Sequence, residues 1–271
     1  LHITNLVLLA LVGFFAGSVK AEPAKEKSAT DRLVEKIHAA LKKANPDYSG
    51  KGKFMFRNGK LHTVSLMRCK GLHDISPLSK FPIESVTNVV LYNAVNITGL
   101  VAFKKCRLVS LNTERCGKLS DLSPLEGMPL RGFRMYACKG IKDLSPLKGM
   151  PLKHLDIGLN PLVDDISPLA GMPLVDLRID NCPKLTDISV IKGMKLKFLS
   201  VFENKGVKDF SPILGLPLET LFFSPSLLSN EVLKGVREMK TLKIIGTGWA
   251  DYGKKQTPEK FWERFDKGEL K

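Results

Sequence analysis

The sequence predicts an α/β solenoid: a horseshoe whose concave side is a parallel β-sheet and whose convex side carries short helical turns. Three observations predict it. A five-residue phrase, typified by Asp143-Leu-Ser-Pro-Leu147, occurs seven times in varied wording. The last residues of five successive copies, Leu125, Leu147, Leu169, Ile191 and Ile213, are spaced by 22 residues each, and a fixed period of that size marks stacked supersecondary units. Between the phrases lies a second unit, Leu152-Lys-His-Leu155-Asp-Ile157-Gly-Leu-Asn160, apolar at positions one, four and six with Asn at nine. That is the leucine-rich repeat pattern, in which positions four and six point inward from a short strand.

In chain order, Leu6 to Gly17 is almost wholly apolar and ends at Val19-Lys20-Ala21. This is read as a signal peptide over 1–21, with a small-x-Ala cleavage site. A membrane anchor is the rival, but the run falls short of the roughly 20 residues needed to span a bilayer. The expected location is therefore exported: periplasmic, cell-surface or secreted, with no transmembrane span after cleavage. Residues 22–60 are expected to form a polar lead and an N-terminal cap. The cap has a helix over 31–44, in which Leu33, Ile37, Leu41 and Ala44 recur at helical spacing. Thr30 is placed as N-cap and Asn45-Pro46 as the stop. A hairpin follows, Lys53–Arg57 and Leu61–Met67 about Asn58-Gly59.

Residues 61–226 are expected to hold about eight repeats, with strand units starting at Leu61, Ile83, Leu108, Leu130, Leu152, Leu174, Leu196 and Leu218. The Leu108 unit arrives three residues late, which reads as an insertion near Phe103–Arg107. In Ser145-Pro146-Leu147-Lys-Gly149, Ser is suited to cap a helical turn, Pro to open it and Gly to leave it. Residues 227–271 are expected to be a C-terminal cap. It contains a helix over 230–240, a last strand over 242–247, and a helix begun by Thr257-Pro258 that carries Phe261, Trp262 and Phe265.

Hydrophobic residues make up 44% of the chain, enough for a continuous core along such a stack. Lys and Arg number 42 against 27 Asp and Glu, a formal charge of +15, and removing 1–21 would take away only Lys20. A balance so basic favours anionic partners such as an acidic polymer or a membrane surface. Its plainer reading is a Lys-rich, solvated exterior. No nucleic-acid-binding motif supports a nucleic-acid role.

The wording Asp-Ile/Leu-Ser-Pro-Leu followed by Gly-Met-Pro-Leu-x-x-Leu resembles the exported bacterial leucine-rich repeat proteins of internalin-like type, over roughly residues 30–271. The Phe261-Trp262 tail and the lead-in Asn45-Pro-Asp-Tyr-Ser-Gly50 are similar to that group too. The resemblance implies protein or ligand binding. Some relatives carry these repeats beside a Ser/Thr kinase domain, so an accessory part in kinase-type signalling is an alternative. The chain itself has neither the His-Arg-Asp nor the Asp-Phe-Gly signature of a kinase.

Four of the five cysteines, Cys69, Cys116, Cys138 and Cys182, fall at position nine, where Asn160 and Asn204 stand in other repeats. They read as a ladder bonding backbone groups at the exit from each strand. Adjacent rungs lie about 4.8 Å apart, which leaves a Cys116–Cys138 disulfide geometrically open. Cys106 falls outside the ladder and is expected to be the accessible thiol. The aspartates Asp74, Asp121, Asp143, Asp165, Asp187 and Asp209 form a column. Stacked carboxylates suit calcium, but each Asp precedes its own Ser and is better placed to accept N–H bonds from its own turn. No cysteine or histidine spacing suggests zinc, Gly50-Lys-Gly52 lacks the rest of a phosphate loop, and no Ser/His/Asp or Cys/His arrangement stands out. Neither a cofactor nor a metal is expected, and the chain reads as non-enzymatic.

Function is then sought on the concave face, at positions three, five and seven of each strand. The early rungs, including Ser85, Thr87, Val89 and Ser110, Asn112, Glu114, are mostly small and polar. The middle is charged: Arg134, Tyr136, His154, Asp156, Asp176, Arg178, Asp180. The last rungs bring Phe198, Phe202 and Phe222. Aromatic rings beside Arg and Tyr have the composition of a binding hot spot, unless the rings pack under the C-terminal cap. The expected function is an exported interaction module that holds a protein or peptide on this face. The alternative is adhesion to an anionic cell-envelope polymer through the Lys-rich surface.

Overall fold

A computed structural model of the chain describes residues 27–69, 71–254 and 256–270, so the apolar leader and its cleavage site lie outside the described residues. One ten-stranded sheet runs through them in sequence order. β1 (Lys53–Arg57) and β2 (Lys60–Ser65) form an antiparallel hairpin across Asn58 (φ 50°) and Gly59 (φ 73°), the two left-handed residues of a hairpin turn. From β2 onward every pairing is parallel. β3 (Asn88–Val90), β4 (Ser110–Asn112), β5 (Gly132–Arg134), β6 (His154–Asp156) and β7 (Asp176–Arg178) lead to β8 (Phe198–Ser200), β9 (Thr220–Phe222) and β10 (Ile244–Gly246). Between consecutive strands from β2 to β9 the chain turns through a short 3₁₀ segment such as Ser145–Leu147. This is the leucine-rich repeat solenoid.

Three local devices recur along the stack. The inward leucines, such as Leu152, Leu155 and Ile157, are at most 1% exposed, and each contributes roughly 1.5–3 kcal/mol of burial. At position nine the ladder works as expected. Cys116 Sγ donates to Leu91 O (3.1 Å), Cys138 Sγ to Thr113 O (2.8 Å), and Asn160 Nδ2 to both Met135 O and Ile157 O (3.0 Å each). All five cysteines are free thiols. In the phrase, the cap is the aspartate rather than the serine. Oδ1 of all six aspartates accepts the backbone N–H two residues on, at 2.7–2.8 Å, the Asx-turn geometry. Gly127, Gly149, Gly171, Gly193 and Gly215 leave the turn with φ between 72° and 82°, a conformation open to glycine at no steric cost.

One recurrent feature has no signal in the sequence. Position eight is left-handed in seven rungs without glycine: Arg68, Asn93, Arg115, Ala137, Leu159, Asn181 and Glu203 have φ between 54° and 63°. The twist aims each N–H at the next rung. Arg115 N donates to Tyr136 O (2.8 Å) and Leu159 N to Asp180 O (2.9 Å), prolonging the parallel pairing beyond the strand.

The second repeat is phased three residues later than its sequence suggests. Val64 pairs with Val89, and Val89 with Leu111. The unit therefore starts at Val86 rather than Ile83, and Asn93 takes the left-handed place. The extra residues lie before β3, after a lengthened 3₁₀ segment Ser76–Lys80, and not near Phe103–Arg107. Two consequences follow. Val89 belongs to the core (1% exposed), so the concave residues of this rung are Asn88, Val90 and Tyr92. Cys106 is then in phase with Met128, Met150, Met172 and Met194; it is 5% exposed, and its Sγ donates to Ile83 O at 3.1 Å. Burial pushes its thiol up to about 11, so the accessible, reactive thiol expected there is absent.

Both ends of the stack are covered. α1 (Ala29–Ala44) starts from a capping box in which Ser28, not Thr30, is the N-cap and Asp31 answers it. It buries Ile37 and Leu41 against the first rung. Asn45, fully buried, fastens it there: Nδ2 donates to Leu41 O (2.9 Å) and Asp74 O (2.7 Å), while Oδ1 accepts from His73 N and Asp74 N (2.9 and 2.8 Å). Beyond β9 come α2 (Asn230–Arg237), β10, the short α3 (Trp249–Tyr252) and α4 (Pro258–Asp266). Phe261 meets Phe223 (5.6 Å) and Trp262 (5.0 Å) between ring centroids, sealing the end of the core.

Candidate functional site

Parallel register places the outward residues of successive rungs side by side, about 4.8 Å apart. β5 contributes Arg134 with Tyr136 beyond it, β6 His154 and Asp156, β7 Asp176 and Arg178 with Asp180 beyond, and β8 Phe198 with Phe202 beyond. A chain of polar contacts crosses them. Arg134 lies 3.3 Å from Glu114 and 4.0 Å from Asp156; His154 is 4.0 Å from Asp176, and Arg178 Nε donates to Asp176 at 3.3 Å. Arg178 also stacks over Phe198, 4.6 Å from guanidinium carbon to ring centroid, a cation–π contact.

Two shallow hollows of ≈ 190 Å³ each open among these residues. One is lined by Arg134, His154, Asp156, Asp176 and Arg178, the other by Glu114, Arg134, Tyr136, Asp156 and Arg178. Small-molecule sites run to about 300–1,000 Å³, so these fit a protruding side chain rather than a whole ligand.

Not every residue singled out from sequence is presented to solvent. Asp156 (5% exposed) and Asp180 (1%) form the floor. Asp156 Oδ1 accepts from Gly158 N at 3.2 Å, and Asp180 Oδ1 accepts from Ser200 Oγ at 2.8 Å. Gly158 makes the packing of the floor feasible, because a Cβ there would meet Asp180 Oδ2 at 2.9 Å and the Tyr136 ring at 3.1 Å. Burial pushes the Asp156 carboxyl up to about 6; the Gly158 N–H and Arg178 pull against it, and Asp180 adds to it. Burial, then Asp180 and Asp156, raises Tyr136 as well.

Phe222 is a correction. It is fully buried because β10 supplies a further rung whose Gly246 leaves room for its ring; a Cβ on Gly246 would come within 2.9 Å of it. It supports Phe198 from the side (5.8 Å between centroids) and does not face a partner. Phe198 and Phe202 stay half-buried.

Two further residues stand on the same face. Glu114 holds Arg134. Tyr92 lies between the guanidinium groups of Arg68 (5.8 Å) and Arg115 (5.9 Å). Phasing the second repeat from Val86 is the signal that identifies Tyr92 as a concave residue.

Among the described residues no group of three or more His, Cys, Asp or Glu is placed to hold a metal ion, and no helix is long and apolar enough to cross a membrane.

No family model matches the chain, and no curated protein matches it in sequence. Solved structures do. An internalin (inlF) from Listeria monocytogenes superposes with a TM-score of 0.53 at 22% identity, over 79% of this chain and 67% of that one. An internalin C2 (inlC2) from the same species gives 0.51 at 21% identity, over 69% of this chain and 92% of that one. At such identities the likeness shows the fold alone.

Proposed function

We propose that the chain is a non-enzymatic interaction module that grips a protein or peptide on the concave face between β5 and β8. The observation that carries this reading is the composition of that face. Arg134, Tyr136, His154, Arg178, Phe198 and Phe202 stand together on one rigid sheet, above a floor of buried carboxylates. Aromatic and arginine anchors over a preformed scaffold are what protein hot spots are made of. The hollows accept side chains, and a strand-built surface loses little entropy on binding. Two solved structures that share the fold bear the name internalin, the group that the repeat wording resembles.

The test is capture from envelope and culture fractions by the immobilised protein, at low and high salt, with Phe198→Ala/Phe202→Ala beside the wild type. Aromatic-centred recognition survives high ionic strength and is lost in the variant. Capture that is unchanged by the two substitutions contradicts the reading.

A further inference from the structure

A second surface carries charge of one sign. Each repeat enters its strand through the connection that follows the 3₁₀ turn and leaves it through the connection after position nine. In the five exit connections 117–122, 139–144, 161–166, 183–188 and 205–210 there are six Lys and six Asp. Charge there is balanced, and Lys142 pairs with Asp164 at 3.4 Å. The five entry connections 104–109, 126–131, 148–153, 170–175 and 192–197 hold nine Lys or Arg and a single acid, Glu126.

The fold brings these entry connections together. Lys153 N donates to Arg131 O (2.8 Å), Val175 N to Lys153 O (2.9 Å) and Lys197 N to Val175 O (2.9 Å), so residues one period apart are stacked on neighbouring rungs. Arg131 and Lys153 are thus adjacent like charges, about 4.8 Å apart along the stack. Lys148 lies on the same connection as Lys153, Arg107 one rung before Arg131, and Lys195 two rungs beyond Lys153. All five side chains are exposed and none has a carboxylate within salt-bridge distance among the described residues. Only where Glu219 stands next on the column is the charge answered, by Lys197 (2.9 Å) and Lys243 (2.7 Å). Stacked, uncompensated cations repel one another, and a linear polyanion laid across the rungs relieves that repulsion. The entry connections contain no aromatic residue, so the flank offers no platform for stacking bases.

We infer that the entry flank is a binding site for a linear anionic polysaccharide, distinct from the concave face and able to act while that face is occupied. Chain-like charge is matched by a row of cations rather than by a pocket, and release of counterions drives the association.

The experiment compares two variants of equal net charge, both in the whole chain. One is Arg107→Gln/Arg131→Gln/Lys148→Gln/Lys153→Gln on the entry flank. The other is Lys118→Gln/Lys139→Gln/Lys142→Gln/Lys184→Gln on the exit flank. Each is titrated with a size-defined heparin oligosaccharide, with single-stranded DNA and with phosphatidylglycerol vesicles, and melting temperatures verify folding. The entry-flank variant is expected to lose about 10-fold or more in heparin affinity with a shallower salt dependence, and the exit-flank variant less than about 2-fold. Equal losses in the two variants overturn the site, leaving net charge alone. DNA or vesicles bound as tightly as heparin, with the same dependence on the entry flank, overturn the assignment to polysaccharide.

Discussion

The inward and outward faces of the same strands follow opposite rules. Inward, β5 to β8 repeat themselves: Phe133, Leu155, Leu177 and Leu199 occupy one column, and all are at most 1% exposed. Outward, adjacent rungs never carry the same residue. Gly132, His154, Asp176 and Phe198 share a column, as do Arg134, Asp156, Arg178 and Ser200. The inward column is interchangeable because each rung meets only its neighbours, so stability is close to a sum of equal terms. The outward residues form two runs of contact, Glu114 to Arg134 to Asp156 and His154 to Asp176 to Arg178 to Phe198, whose members differ in kind. Repetition builds the scaffold, and departure from repetition gives the concave face its varied chemistry.

The comparison breaks most sharply from the inside. Leu155→Ala is expected to cost about 2–5 kcal/mol in equilibrium urea unfolding; a cost under 1 kcal/mol would mean that the inward column is not a packed core. Asn45→Ala comes next. It orphans the His73 and Asp74 N–H groups and the Asp74 carbonyl, and should cost on the order of 1–3 kcal/mol, lost first as exchange protection in α1 and β2.

The floor beneath the outward face sharpens the contrast through pH. The Asp156 carboxyl is raised in the folded state to about 6, so between its unfolded pKa of about 4 and that value the native state binds more protons than the unfolded. Stability from this group is therefore fullest below about pH 4 and declines as pH rises to about 6, by at most about 3 kcal/mol. Asp156→Asn should remove that decline and be the more stable protein at pH 7; urea midpoints of both proteins at pH 4 and pH 7 check it.

Alkylation probes the inward side. All five cysteines are buried, with Cys116 and Cys182 pushed up to about 12 by burial. All are expected to react slowly in the native protein and quickly in denaturant. Rapid native labelling of Cys106 alone would contradict its place in the methionine column. The smallest effect on stability belongs to Phe198→Ala/Phe202→Ala, whose rings are only half-buried. Their melting temperature should stay near that of the wild type.

Most of the scaffold was legible because it is periodic. A 22-residue recurrence, an apolar pattern at one, four and six, and an Asp that precedes six of the turns each state the same geometry again. The pattern is ambiguous where two signals compete. Asn96-Ile-Thr-Gly-Leu100 imitates the phrase at the expected spacing, whereas the turn that actually follows, Val101–Phe103, has lost its Asp and its Ser-Pro. That imitation shifted one rung, hid Tyr92 and placed Cys106 in a loop. The candidate site was half legible. Alternation identifies which side chains face outward, but not which of them a neighbour covers. Asp156 and Asp180 are covered because Gly158 lets rings and carboxylates close over them, and Phe222 because a tenth strand follows it. Such effects depend on pairs of rungs, and a single repeat does not encode them.

A partner is expected to lie against the concave face of β5 to β8. Photo-crosslinking tests it most directly, with a benzophenone side chain placed in turn at His154, at Phe198 and, on the convex side, at Pro146. Crosslinks to the captured partner from His154 and Phe198 but not from Pro146 are predicted. Crosslinks from Pro146 alone would contradict the account.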